Sequence, residues 1–169
     1  MRRILGIDPG SRVTGFGVIV SDGLRSRHLA SGCIRVTGDE FSHRLGEIFR
    51  QVAEVIEEYT PVEVAIEQVF MSKNAASALK LGHARGAAIC AAVVAGLPVA
   101  EYTPRMIKQS VVGTGSADKM QVRHMVRRLL NLDVDLTTDQ SDALAVALSH
   151  AHSHTTLQRL SRSVRRRGR

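Results

Sequence analysis

Arg3-Ile4-Leu5-Gly6-Ile7-Asp8-Pro9-Gly10 is the stretch on which the fold turns. An apolar run closed by Pro9-Gly10 predicts a strand ending in a turn, with one acid, Asp8, where strand gives way to loop. Outward from it, residues 15–20 and 31–36 read as two further strands, and Ser21-Asp22-Gly23 between them reads as a hairpin turn. Next, Phe41, Leu45, Ile48, Phe49, Val52, Ile56 and Tyr59 recur at helical spacing, opposite Glu47, Arg50, Glu54 and Glu57. That pattern predicts an amphipathic helix packed on a sheet, ended by Pro61. Residues 62–69 form a fourth expected strand, in which Val62, Val64 and Ile66 alternate with Glu63, Ala65 and Glu67.

A long helix rich in small residues is expected over 74–95, with Gly82 and Gly86 on one face. They admit close approach, either of the chain's own sheet or of a second copy. Residues 98–102 read as a fifth strand. Thr103-Pro104 fits an N-cap followed by proline at the first helical position. The Gly113-Thr114-Gly115-Ser116 loop leads into a helix over about 118–130. A last helix starts near Thr137, where Thr137 and Gln140 have capping-box spacing, and is expected to end about His154. Three strands, then helices alternating with strands, predict an α/β fold: a mixed five-stranded sheet with helices on both faces.

The composition suits one globular unit: 169 residues, 44% hydrophobic and 23% charged, with no Trp and an aliphatic core. The net charge of +7 is unevenly spread. Six arginines (159, 162, 165, 166, 167 and 169) crowd the end; without them 17 of the 23 basic residues face 16 acids, a net of +1. The expected organisation is a globular domain over 1–154 and a basic, solvated arm over 155–169, of a kind that suits nucleic acid. Cys33 and Cys90 form no CxxC and read as buried thiols in a reducing compartment. Four uncharged residues separate Arg3 from Asp8, which is no leader pattern. The longest uncharged run, residues 86–100, is 15 residues and is broken by Gly96 and Pro98; a membrane span needs about 20. A soluble, cytoplasmic protein with no membrane partner is expected.

Four acids stand out from those on solvated helix faces. Asp8 and Glu67 end apolar strands, and Asp139 and Asp142 share one face at the start of the last helix. If the first and fourth strands are parallel neighbours, Asp8 and Glu67 lie together at their carboxyl ends, where open α/β sheets bind ligands. Two carboxylates about 4 Å apart repel by roughly 4 kcal/mol at an effective dielectric near 20. Four together must take up protons or hold cations. An all-oxygen donor set favours Mg²⁺ or Mn²⁺ over zinc, and two such ions support phosphodiester hydrolysis. Each acid also has an ordinary role open to it: Asp8 in a turn, Glu67 in an ion pair, and Asp139 and Asp142 at the positive end of a helix.

Lys108 and Lys119 flank the glycine loop and suit phosphate contacts, or are solvated lysines. Phe70 follows the Glu67 strand and either stacks on an unpaired base or belongs to the core. Arg105, Arg123 and Arg127 are weaker phosphate candidates. His83, His124, His150, His152 and His154 show no pairing that demands a metal.

Four segments are similar to the RuvC family of Holliday junction resolvases, in the family's order and spacing. They run from Gly6-Ile7-Asp8-Pro9-Gly10 through Gly17, from Ala65-Ile66-Glu67-Gln68-Val69-Phe70 through Ala75, from Lys108 through Asp118-Lys119, and over Asp139-Gln140-Ser141-Asp142-Ala143. The resemblance implies an RNase H-like fold and a homodimer that cuts four-way DNA junctions with two symmetric nicks. It implies that Asp8, Glu67, Asp139 and Asp142 hold two Mg²⁺ ions, with Mn²⁺ as a substitute, and that cleavage leaves 5′-phosphate and 3′-hydroxyl ends. Some relatives carry His at the last of these positions; here it is Asp142. A preference for a short T-rich sequence and work beside RuvA and RuvB are also implied, and Phe70 leans toward DNA. An Asp-x-Gly strand-turn also opens ATP-binding proteins of the actin and sugar-kinase class, but those need a second such half. A purely DNA-binding module has no use for four acids. A shorter resolvase-like family of ribosomal-RNA-processing nucleases is a closer rival, against which the Val69-Phe70-Met71-Ser72-Lys73-Asn74 loop and the Gln140-Ser141-Asp142-Ala143 ending argue.

Overall fold

The computed structural model describes residues 1–69 and 74–167, with side chains as far as residue 153. β1 (Arg2–Asp8), β2 (Val13–Ser21) and β3 (Ser26–Arg35) form an antiparallel meander. The β2–β3 turn is made by Asp22, whose carboxylate accepts from the backbone N–H of Leu24 (2.8 Å) and Arg25 (2.7 Å), and by Gly23 at φ 95°. β4 (Glu63–Glu67) and β5 (Val99–Tyr102) run parallel to β1, giving the order β3-β2-β1-β4-β5. This five-stranded mixed sheet is an RNase H-like fold.

Period-two alternation divides the sheet between two cores. Leu5, Ile7, Val18, Val64 and Ile66 face α1 (Phe41–Tyr59) and the buried alanines of α2 (Ala75–Val94). Ile4, Ile19 and Ala65 face α3 (Pro104–Val112), α4 (Lys119–Leu130) and α5 (Thr138–Arg167). The residues alternating with Val64 and Ile66 therefore meet a second helix layer rather than water, and Ala65 is fully buried. β4 is shorter than expected: Val62 lies outside it and is exposed, and Val69 lies beyond its end.

α1 keeps its expected bounds and ends at Thr60, in the left-handed region at φ 45°. Both expected caps form: Thr103 accepts from Met106 N–H, and Thr137 and Gln140 make a capping box; Asp118 and Gln121 make a further one. β3 begins at Ser26 rather than at residue 31, and two further expectations fail. The backbone of α5 continues past His154 to Arg167. The thiols are not buried: Cys90 is exposed on the outer face of α2 and Cys33 is half-buried, 3.4 Å from Thr137 Oγ1. Apolar neighbours in sequence misled here, because α2 is apolar on more than its buried face. Among the described residues no helix is long and apolar enough to cross a membrane.

Candidate active site

β1 and β4 are parallel neighbours in a register that pairs Ile7 with Ile66, so Asp8 and Glu67 leave the sheet together at its carboxyl edge. Parity turns both toward α5, since Ile7 and Ile66 face the other core. The capping box at Thr137 starts α5 so that Asp139 falls in its first turn and Asp142 one turn later on the same side. What brings that turn down onto the strands is missing side chains. A Cβ on Gly15 would lie 2.1 Å from the Asp139 carbonyl oxygen, and one on Gly6 would lie 2.1 Å from that of Ala143. No non-glycine residue fits either place without moving α5. These two glycines are functional in that sense, and sequence reading missed them; their alternation with the buried strand residues was the available signal.

Asp8, Glu67, Lys108, Lys119 and Asp142 line one cleft of about 250 Å³, floored by Ile107, Val122 and Ala145. Lys108 comes from α3 and Lys119 is the first residue of α4, its Nζ 3.4 Å from Asp142 Oδ2. Asp139 stands beside this cleft rather than in its lining, close enough for its charge to act on Asp8. A second unforeseen contact fixes the end of β4: Arg85 of α2 donates through Nε to the Glu67 carbonyl (3.2 Å) and pairs with Glu101. Phe70 lies outside the described residues.

Burial and mutual repulsion set the electrostatics. Asp8 is pushed up to about 8, by burial first and then by the charges of Glu67, Asp142 and Asp139; Lys119 only partly offsets them. Glu67 is pushed up to about 7 by burial and by Asp142, against Lys119 and Lys108. Asp142 is also raised, chiefly by burial, in spite of Lys119.

Among the described residues no three His, Cys, Asp or Glu side chains are already drawn together around a metal position. The donor set nonetheless fits a hard divalent cation. It offers carboxylate oxygens only, it is short of positive charge, and its acids are raised for want of it.

The model of the family described as "Crossover junction endodeoxyribonuclease RuvC" matches residues 4–150. The chain belongs to the RuvC family. It is 57% identical over 164 residues to the crossover junction endodeoxyribonuclease RuvC of Tolumonas auensis, covering 97% of this chain and 95% of that one. With the RuvC of Methylococcus capsulatus it shares 57% identity over 166 residues, 98% of this chain and the whole of the relative. Among solved structures, RuvC of T. thermophilus in complex with a Holliday junction substrate superposes with a TM-score of 0.85 at 36% identity, over 91% of this chain and 95% of that one. The RuvC match spans β1 to the buried part of α5 and includes all four acids and both lysines of the cleft region.

Proposed function

We propose that this RuvC-family chain is an endodeoxyribonuclease that resolves four-way DNA junctions in recombination and repair by two symmetric nicks. The observation that carries the reading is the meeting of acids from β1, β4 and α5 in one cleft, with burial and crowding raising Asp8, Glu67 and Asp142. Asp8, Glu67, Asp139 and Asp142 would hold Mg²⁺, two ions per site, with Mn²⁺ as a substitute. Such ions supply a lowered pKa for the attacking water and charge stabilisation for the departing 3′ oxygen. Lys108 and Lys119 point positive charge into the same cleft and orient the scissile phosphate. Lys119 is largely exposed and held to Asp142 by one long contact, so it turns to phosphate at little cost. The products are a 5′-phosphate and a 3′-hydroxyl, and no covalent enzyme intermediate is required. Phe70, next to the Glu67 strand in sequence, stacks on an unpaired base near the crossover.

One cleft nicks one strand, and a junction has two-fold symmetry, so the working unit is a homodimer. α2 offers the surface. It buries Ala84, Ala88, Ala91 and Ala92 inside the chain, yet its opposite face presents Leu79, Gly82, Gly86, Cys90 and Val93. A Cβ on Gly82 or Gly86 would meet nothing within 4 Å, so those glycines do not serve packing on the chain's own sheet. A helix apolar on both faces fits two neighbours, one internal and one from a second copy. RuvA and RuvB are the partners of the same reaction, and the cytoplasm is its place.

The deciding experiment is cleavage of a synthetic four-way junction with and without Mg²⁺, mapped on both strands. Paired nicks that need the metal, lost in Asp8→Asn with junction binding kept, are expected. Wild-type cleavage by that variant, or cleavage of structured RNA in place of junctions, overturns the reading.

A further inference from the structure

α4 leads out of the cleft as a basic rod: Lys119, Arg123, Arg127 and Arg128 lie in its twelve residues and no acid does. Lys119, Arg123 and Arg127 are spaced four apart. Each step rises about 6 Å, close to the axial length of two nucleotides in one B-form strand at about 3.4 Å each. Arg123 and Arg127 are not simply solvated. Both reach the same oxygen, Asp135 Oδ1, at 3.4 and 3.3 Å. Their side chains are 33% and 38% exposed, so both are partly packed, whereas Asp135 is 82% exposed.

Two guanidinium groups converging on one exposed anionic oxygen form a receptor for an anion. Asp135 fills it poorly. Both contacts are long, and an exposed ion pair is worth about 0–1 kcal/mol. A phosphate oxygen carries the same charge sign, offers more acceptors, and arrives on a chain already anchored in the cleft. We propose that Arg123 and Arg127 dock the phosphate backbone of a junction arm leaving the active site, and that Asp135 is an internal stand-in for that phosphate, displaced when DNA binds. Asp135 relieves repulsion between the two arginines in the free protein and weakens the complex, so it favours release of product. This rests on the nuclease reading for the identity of the DNA, not for the receptor itself.

Asp135→Asn tests it, in the full-length protein. Binding of a labelled four-way junction and of a plain duplex is measured in EDTA across a salt series. The variant is expected to bind the junction about 3- to 10-fold tighter at low salt, with unchanged thermal stability. Arg123→Ala/Arg127→Ala is expected to weaken binding and to flatten the salt slope by about 2, for two lost phosphate contacts at roughly 0.9 each. Adding Asp135→Asn to that double variant should then change nothing. An unchanged affinity for Asp135→Asn while the wild type binds junctions overturns the docking site and leaves the nuclease reading intact. Equal tightening in the background lacking both arginines also overturns it, since the effect is then one of net charge. Tightening on duplex by a protein that shows no preference for junctions supports the docking site and counts against the junction reading.

Discussion

Glu63 and Glu67 sit at the two ends of β4, on the same side of the sheet and under the same helix, yet the fold treats them oppositely. Glu63 is met by Arg2 Nη1 at 2.7 Å and by His150 Nε2, whose other ring nitrogen bonds Tyr102 Oη at 2.8 Å. Burial alone would raise its pKa, but the hydrogen bonds from His150 and Arg2 outweigh that and lower it. Glu67 has the burial without the partners: Asp142 repels it, Lys119 and Lys108 offset this only in part, and it rises to about 7. One strand thus ends in a satisfied carboxylate that ties β1, β4 and α5 together, and in an unsatisfied one that waits for charge from outside. Structural need accounts for the first. The second has no structural partner, and an unpaired buried acid of this kind marks a candidate binding site.

The largest test attacks what makes the second end possible. Gly15→Ala puts a methyl 2.1 Å from the Asp139 carbonyl, a rigid backbone atom, and neither α5 nor β2 can yield cheaply. A loss of about 3 kcal/mol or more is expected by denaturant unfolding, together with loss of nicking. Wild-type stability and activity in that variant would mean that α5 does not rely on bare backbone to reach the acids. Next comes the satisfied end. Glu63→Gln keeps the shape and removes the charge that Arg2 and His150 share, which should cost about 1–3 kcal/mol while junction nicking, measured well below the melting point, persists.

Local chemistry was legible in the sequence; crossings of the chain were not. The caps at Thr103 and Thr137 and the turn at Asp22-Gly23 follow from side chains acting on backbone a few residues away, and the bounds of α1 follow from its apolar stripe, since no side chain caps its start. The face shared by Asp8 and Glu67 was legible too, given parallel pairing of β1 with β4, because strand parity is strict. The Glu63–His150–Tyr102 chain joins residues up to 87 apart, and Arg85 reaches β4 from α2; neither leaves a local pattern. α2 misled for a different reason. With apolar residues on both faces it has no stripe to read, so the sequence does not tell which face holds Cys90 and the glycines.

The difference between the two ends of β4 also predicts opposite responses to pH. Asp8 and Glu67 hold protons in the folded, metal-free state up to about 8 and about 7, whereas unfolded they release them near 3.8 and 4.5. The folded state therefore binds more protons than the unfolded state between about pH 4 and pH 8, and this contribution to stability falls as pH rises through that window. Glu63, lowered, contributes in the other sense: its share is present above 4.5 and is lost as pH falls through its folded pKa. In EDTA the melting temperature should be higher at pH 6 than at pH 8.5. Asp8→Asn should narrow that gap and stabilise the metal-free protein by about 1–2 kcal/mol at the higher pH, a tenfold change in proton affinity being worth about 1.4 kcal/mol. Millimolar Mg²⁺ should narrow it in the wild type as well. A melting temperature in EDTA that rises steadily from pH 6 to 8.5 in the wild type would mean that the acids are not crowded in solution.

The smallest effect on the single chain is expected at Gly82, and it extends the contrast between satisfied and waiting surfaces from charge to apolar area. Gly15 and Gly82 look alike as letters in a small-residue pattern, but a Cβ at Gly15 strikes backbone and one at Gly82 meets open space. Gly82→Ala should therefore leave the monomer's packing intact and, as a mid-helix glycine replaced by the best helix former, stabilise it by up to about 1 kcal/mol. Gly82→Leu should also fold. Its bulk, however, stands on the face where Leu79 and Val93 are exposed, and where a second α2 would have to come close. Sedimentation at low concentration should then show Gly82→Leu as monomer and the wild type as dimer, while their unfolding curves stay within about 1 kcal/mol of each other. If association is unchanged, this apolar face of α2 waits for a partner other than its own copy, and the two-fold match between enzyme and junction has to be built from another surface.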